Sequence, residues 1–300
     1  MTEVSGSIEA LTIYPLTGAR GIPHESVLLG PGGLVGDRMF VLYEPDKDDP
    51  AVNARVSQKQ CRALAQLVAS VEGDNELHVL RDPRLVVAGA DPWTLVVPKS
   101  AQAEPVSVME FGDTTPCIDM GDEAAERFSR LLGRPVRLGR KTDAWLAGRG
   151  HDPAKRANAP VHVVLAETVE YLADKLEPGE DGRRQFGADR TRAGVVVRGF
   201  PALSDAAWVT DGRNGMLYIG DQAALAVDRH TIRCKVPGND QETGDDLKDV
   251  PKTYPHTVRV KAPDDTSSKP GEPTIGVYGH AIGLGPVLIR RGDPVEFVER

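Results

Sequence analysis

Cysteine is scarce in this chain: Cys61, Cys117 and Cys234 are the three thiols among 300 residues, widely spaced and with no CxxC pair. An odd, scattered set of this kind argues against a disulfide framework and against a thiolate zinc site. It suits a reducing compartment, so a cytoplasmic location is expected. Long apolar runs are missing too, none approaching the roughly 20 residues that a spanning helix needs. The opening Met-Thr-Glu-Val-Ser-Gly-Ser-Ile-Glu-Ala has no basic segment followed by an apolar core, so no signal peptide is expected there. No membrane partner is expected. Net positive charge is absent as well: the formal charge is −8, which argues against a general nucleic-acid or anionic-membrane surface. The 36 basic residues still leave room for a local anion pocket. Neither HExxH, a Walker A sequence nor a GxSxG elbow occurs, and Gly30-Pro-Gly-Gly33 reads as a turn rather than a phosphate loop.

What the chain does contain is mostly strand. Ile8–Tyr14, Arg38–Tyr43, Leu67–Val71, Leu77–Leu80, Thr94–Val97 and Val106–Met109 are short, rich in Val, Ile and Leu, and punctuated by Gly, Pro, Asp or Asn. Two segments have helical periodicity. The first follows Gly121, puts Ala125, Phe128, Leu131 and Leu132 on one face and stops at Gly133; the second puts Val169, Leu172, Ala173 and Leu176 together before Pro178-Gly179. Gly139 to Ala159 is polar and reads as a connection between halves, and Ala262 to Pro273 as a Pro-rich surface loop. A β-rich α+β fold with barrel-like halves and few helices is expected.

The chemistry-bearing candidates begin at Arg233-Cys234. The stretch from Ala224 reads as extended chain, and Pro237-Gly238-Asn239-Asp240 then turns it, placing one thiol at a strand-to-loop junction with Asp240 six residues on. A neighbouring cation favours thiolate, the form that ligates metals or attacks electrophiles; the plain alternative is a small buried apolar residue. His230 would share a strand face with Cys234, allowing a two-ligand zinc site with no third ligand to name. Two further segments, Gly36-Asp-Arg38 and Asp189-Arg190-Thr-Arg192-Ala-Gly194, read as strand entrances carrying arginines, with Arg190 and Arg192 on one face and Gly194 allowing close backbone approach. Arginine's planar fork suits phosphate, whereas the plain reading is a surface ion pair with Asp37 or Asp189, contributing roughly 0–1 kcal/mol.

Taken together these segments resemble the MOSC family in its two-domain form, whose members include the amidoxime-reducing components, their bacterial relatives and the carboxy-terminal domain of molybdenum cofactor sulfurase. The resemblance is carried by Ile13–Pro23, Gly33-Leu-Val-Gly-Asp-Arg38, Gly121–Leu138, Ala159–Leu165, Arg233-Cys234 with Asp240 and Thr243-Gly244, Ile275–Gly279 and Arg291–Phe297, in the family's order. It implies a MOSC-N β-barrel-like domain over 1–138, a connection over 139–159 and a MOSC β-barrel domain over 160–300. It implies a molybdenum-molybdopterin cofactor with Cys234 as the metal's thiolate ligand, Cys234 and Asp240 as catalytic residues, and Thr17, Gly18, Arg38, Arg190, Arg192, Gly194 and Arg233 holding the pterin and its phosphate. The wider superfamily also has an association with pyridoxal phosphate.

The activity implied is reduction of N-hydroxylated small molecules, with water released and the redox chemistry carried by the cofactor. No ferredoxin, flavin or haem module is recognisable in the chain, so ferredoxin- or flavoprotein-like partners would supply electrons. Two loops depart from the family: Thr17-Gly18 stands where relatives place Lys-Ser, and Arg192-Ala-Gly194 where they place Arg-Pro-Asn. Two alternatives stay open: a sulfur carrier or sulfurtransferase with a Cys234 persulfide, which the same thiolate beside an arginine would serve, and a non-catalytic molybdopterin-binding module, which the altered loops favour.

Overall fold

The computed structural model describes residues 5–46, 53–76, 79–88, 93–96, 104–110, 112–148, 160–177, 186–210, 213–259, 271–283 and 285–299. Valine-rich segments dominate the larger of its two barrels. Val161–Leu165 is buried at every position and runs parallel to Val195–Arg198, with helix Ala166–Ala173 between them in sequence. Continuous apolar strands of this kind are what a parallel pair covered on both faces requires. From there the sheet passes through Ser5–Ile13, Pro294–Val298, Met216–Ile219, Ala223–Ile232 and Pro273–Ala281, and closes where Val161 pairs with Gly279. Ile8, Leu11, Val163, Val197, Leu217, Leu225 and Val277 fill the interior.

The smaller barrel has five strands: Val106–Glu110, Asp113–Asp119, Arg137–Lys141, Phe40–Glu44 and Asn53–Arg55, the last closing parallel onto the first through Val108 and Asn53. Val41, Tyr43, Val108 and Cys117 pack within it. Helix Asp122–Leu132 covers one side; Ala124, Ala125 and Phe128 are buried, and Ala124 and Phe128 join one core cluster with Leu16, Phe40, Leu42 and Leu138. Gly133 ends this helix in the left-handed conformation (φ 63°), its N–H bonded to the Ser129 carbonyl. The buried face is turned from the expected one: Leu131 is 53 % exposed and Ala124 lies inside, because the helix caps a small barrel and buries only a narrow stripe.

Two readings change in three dimensions. The opening strand Ser5–Ile13 belongs to the larger barrel, where it pairs with Val195–Arg198 on one side and Pro294–Val298 on the other. The chain reaches the smaller barrel only after Tyr14. The connection expected from Gly139 starts later, since Arg137–Lys141 is a barrel strand and Asp143–Ala147 a short helix; its residues 149–159 lie outside the described residues. So do Leu77, His78 and Val97 of the expected strands and 262–270 of the expected loop. Among the described residues no helix is long and apolar enough to cross a membrane.

Candidate functional site

The chain leaves the larger barrel at Tyr14 and is laced at once to the smaller one. Arg38 N–H donates to the Tyr14 carbonyl at 2.8 Å, Phe40 N–H to Pro15 at 3.0 Å and Thr17 N–H to Phe40 at 2.8 Å. Asp37, 2 % exposed, accepts the Tyr14 N–H at 2.9 Å and pairs with the Arg38 guanidinium. This lacing sets Thr17, Gly18 and Arg38 side by side at the mouth of a cleft of about 390 Å³ between the barrels. The Thr17 hydroxyl is buried and accepts or donates no hydrogen bond within the protein. A buried polar atom without a partner is costly unless a ligand or water satisfies it.

The opposite wall carries Thr191, Arg192, Ile232, Arg233 and Cys234. The expected strand entrance at Asp189–Arg192 is instead a single helical turn, Ala188–Thr191, with Arg192 as its left-handed C-cap (φ 57°). Strand period two therefore does not apply, and the two arginines part. Arg190 donates to the Asn239 carbonyl at 3.0 Å and pairs with Asp240 at 2.7 Å. Arg192 turns towards the smaller barrel, donating to the Ala19 carbonyl at 2.7 Å and to Gln241 Oε1 at 3.2 Å. Its guanidinium lies 4.4 Å from the centre of the Tyr14 ring, which Arg38 also approaches at 5.4 Å. Burial pulls the Arg192 pKa down to about 10, still charged at neutral pH. Burial raises the Tyr14 phenol to about 12 against the opposing pull of Arg192 and Arg38. Arg38, like Arg192, has a positive φ (51°). Non-glycine residues adopt that region at a cost of roughly 1–2 kcal/mol, and such strain gathers at functional sites.

Cys234 follows the end of strand Ala223–Ile232 and is exposed, whereas Cys61 and Cys117 are buried. It shares the cleft with Arg38, Arg192 and Arg233. Arg233 is held by the Thr191 carbonyl at 3.0 Å and approaches His162 Nε2 at 3.4 Å. Burial, then the Arg233 charge, keeps the His162 imidazole well below its usual pKa, so it is neutral. Among the described residues no group of three His, Cys, Asp or Glu side chains gathers closely enough to hold a metal ion by protein ligands alone; His230 and Cys234 both line the cleft.

Two expected site residues lie behind the cleft rather than in it. Asp240 accepts the Glu242 and Thr243 N–H groups at 2.7 and 2.8 Å and pairs with Arg190; despite burial, those N–H bonds and the arginine hold its pKa low. It braces the loop that follows the cysteine. Gly194 sits in the barrel wall, where a Cβ would approach Leu34 Cδ1 to 2.7 Å, and its N–H donates to the His162 carbonyl at 3.0 Å.

Other cleft residues were not anticipated: Arg55, Gln58, Lys59, Glu110, Lys141, His162, Arg229 and Tyr278. Arg229 had a readable signal, since it continues the inward face of Leu225 and Val227 at period two. Lys141 and Glu110 did not. They form a 2.7 Å ion pair, 3 % and 2 % exposed, inside the smaller barrel, and only closure of that barrel brings their strands together.

Two stacked β-barrels with an arginine-lined cleft and one accessible thiol between them define the class. Residues 5–135 match the MOSC N-terminal beta barrel domain and residues 151–296 the MOSC domain. The chain belongs to the MOSC family, as a MOSC-domain protein with an amino-terminal MOSC barrel. This is a molybdenum-cofactor sulfurase-like domain family whose members are often enzymes or cofactor-binding proteins. Among solved structures, the YUAD protein from Bacillus subtilis is 13 % identical, covering 100 % of this chain and 98 % of its own at a TM-score of 0.42. YiiM from Geobacillus stearothermophilus is 20 % identical over 47 % of this chain and 55 % of its own, with a TM-score of 0.30. Neither likeness is close enough to carry function across. No curated protein matches the chain.

Proposed function

We propose that this protein is a molybdenum-cofactor-dependent reductase of N-hydroxylated small molecules, with Cys234 as the metal's protein ligand and electrons delivered by separate ferredoxin- or flavoprotein-like partners in the cytoplasm. The observation that carries the reading is the placement of the one exposed cysteine in a cleft shared with Arg38, Arg192 and Arg233.

The residues present fit the group. A soft thiolate suits a metal already held by dithiolene sulfur. The unsatisfied Thr17 hydroxyl, at the same mouth as Arg38, offers a hydrogen bond to a phosphate oxygen, and the guanidinium forks of Arg38 and Arg192 supply charge-assisted bonds. Gly18 (φ 93°) leaves that loop free of a side chain. The positive charge on Arg192 and Arg233 stands in for the lysine that Thr17-Gly18 lacks. Arg190 lines the cleft and, paired with Asp240 behind it, fixes the loop that carries the thiol.

When bound, the cofactor supplies the two-electron chemistry; an N-hydroxyl compound takes up two electrons and two protons, its N–O bond breaks, and an amine or amidine and water leave. The chain's part is to hold and shield. Neutral His162 supports Arg233 without adding charge. The Tyr278 ring closes one side of the cleft, with Arg229 5.5 Å from its centre. The reading is tested by metal analysis of protein made in cells competent for cofactor synthesis, followed by assay of N-hydroxylated substrates with reduced methyl viologen. Near-stoichiometric molybdenum with turnover is expected; fully folded protein without molybdenum overturns it.

A further inference from the structure

Tyr14 stands where the chain leaves the larger barrel, and it is buried. Its contacts fall on one arginine from each cleft wall, or on their neighbours. The centre of its ring lies 4.4 Å from the Arg192 guanidinium carbon and 5.4 Å from that of Arg38. Its N–H donates to Asp37 at 2.9 Å and its carbonyl accepts from the Arg38 N–H at 2.8 Å. The hydroxyl donates to the Ala193 carbonyl, beside Arg192, at 3.4 Å. A Cβ at Gly21 would come within 2.5 Å of Tyr14 Cε1, so glycine at that position lets the ring lie where it does.

Two guanidinium groups brought to one spot repel each other. The face of an aromatic ring attracts both, and more strongly where water is excluded. Among the described residues Arg192 bonds the protein through Nη1 alone, which leaves Nε and Nη2 as donors to a ligand. We propose that Tyr14 is a positioning residue: its ring holds the guanidinium groups of Arg38 and Arg192 in one arrangement before any ligand arrives, and so sets the affinity of the cleft for a phosphate group. That this phosphate belongs to the cofactor rests on the reductase reading; the positioning does not. A ligand that meets arginines already in place does not have to order them. Where only a fraction of the molecules has both in place, the apparent affinity falls by that fraction.

The test uses the full-length chain made in cells that cannot synthesise the cofactor, with inorganic phosphate as the probe and binding followed by phosphorus NMR. Tyr14→Phe keeps the ring and loses only a long hydroxyl bond, so its affinity should stay within about twofold of wild type. Tyr14→Leu removes the ring and should weaken binding by about tenfold, with both arginines still present. Arg192→Gln locates the site and should weaken binding at least as much. Because leucine also changes the packing, a series of constant shape decides the matter: phenylalanine at position 14 carrying one, two and then three ring fluorines. Each fluorine withdraws charge from the ring face, so affinity should fall step by step, and a packing role would not follow the electrons of the ring. A flat series overturns the inference. So does loss of binding in Tyr14→Phe, which would assign the effect to the hydroxyl, and so does phosphate that fails to bind the wild type or still binds Arg192→Gln unchanged.

Molybdenum analysis of the wild type and the fluorinated chains, made in cells competent for cofactor synthesis, separates the two readings. A graded phosphate series in protein that never carries molybdenum removes the reductase reading and leaves Tyr14 its role. Molybdenum in the wild type beside a flat phosphate series leaves the reductase reading standing and reduces Tyr14 to a packing residue.

Discussion

Arg38 Nη2 donates a hydrogen bond of 3.2 Å to the main-chain carbonyl of Arg192, a residue 154 positions further along the chain. Both residues have left-handed backbones, and both guanidinium groups lie against the ring of Tyr14. The first comes from the loop entering the smaller barrel and the second from a helical turn on the larger one. Their contact therefore joins the two walls of the cleft. Asp37 pairs with the Arg38 guanidinium, and the Ala19 carbonyl and Gln241 Oε1 hold that of Arg192; in the proposed function the same two groups would meet the cofactor's phosphate.

Strain and charge at Arg192 can be separated by substitution. Arg192→Gly removes the guanidinium while relieving the left-handed backbone, and Arg192→Ala removes it without that relief. The glycine variant should be the more stable of the two by about 1 kcal/mol, read from denaturant midpoints. Both should lose cofactor equally, since a hydrogen bond to a charged group contributes about 1.5–3 kcal/mol, a weakening of roughly ten- to a hundredfold. Molybdenum retained in either variant would show that Arg192 serves the interface alone.

Cys234→Ser gives the complementary separation. The side chain is exposed at the cleft, so the change in stability should stay within about 0.5 kcal/mol. Metal content and reductase activity should both fall to background, because a serine hydroxyl is a harder and far less acidic donor than a thiolate. Wild-type molybdenum in this variant would remove Cys234 from the metal. Mass spectrometry of the intact wild type covers the alternative: a reducible gain of one sulfur mass would favour the sulfur carrier.

Much of this was legible in the residues, and the part that was not has a common cause. Local patterns reported local structure: Gly133 stops its helix, and the turn after Cys234 sits where Pro237-Gly238 places it. The order of motifs marked the family. What the chain could not show by itself was which strands close into a barrel, because closure depends on pairings such as Val108 with Asn53 across more than fifty residues. Lys141, Glu110 and Arg55 are invisible as a group for that reason. Arg190 and Arg192 misled for a different one: their alternate spacing suggests one strand face, but the one-turn helix Ala188–Thr191 and the left-handed Arg192 send them apart.

The two barrels are also fastened by a pair of buried amides. Gln58 Nε2 donates to Gln241 Oε1 at 3.1 Å and to the Gly18 carbonyl at 2.7 Å, while Gln241 Nε2 donates to Gln58 Oε1 at 3.3 Å and to the Asn239 carbonyl at 3.0 Å. Each side chain therefore satisfies the other and ties the Thr17-Gly18 loop to the loop that bears the cysteine. Gln241→Leu should destabilise the fold by about 1–3 kcal/mol, since it strands a buried amide. Adding Gln58→Leu should cost much less than a second, independent loss. Denaturant titration of the two single variants and the double variant checks this, and simple additivity would show that the amides do not act as a unit.

Asp205 should make stability fall as pH rises through the mildly acidic range. Its carboxyl is 4 % exposed, and burial raises its pKa from 3.8 to about 6, even though backbone N–H groups and the Thr168 hydroxyl, 3.4 Å away, favour the charged form. A folded pKa above the unfolded one means that protonated Asp205 stabilises the fold fully below about pH 4, and that this contribution is lost as pH climbs through about 6. At about 1.36 kcal/mol per pH unit, the difference comes to about 3 kcal/mol. Glu110, Asp119 and Asp240 run the other way, their pKa values lowered by their cationic or hydrogen-bonding partners, so the wild-type profile mixes both signs. Asp205→Asn isolates the first. It keeps the volume and an oxygen for Thr168 but cannot ionise, so the variant should gain on the wild type between pH 4 and 7, by up to that amount. Denaturant unfolding at several pH values gives both curves, and parallel curves would mean that Asp205 is not the titrating group.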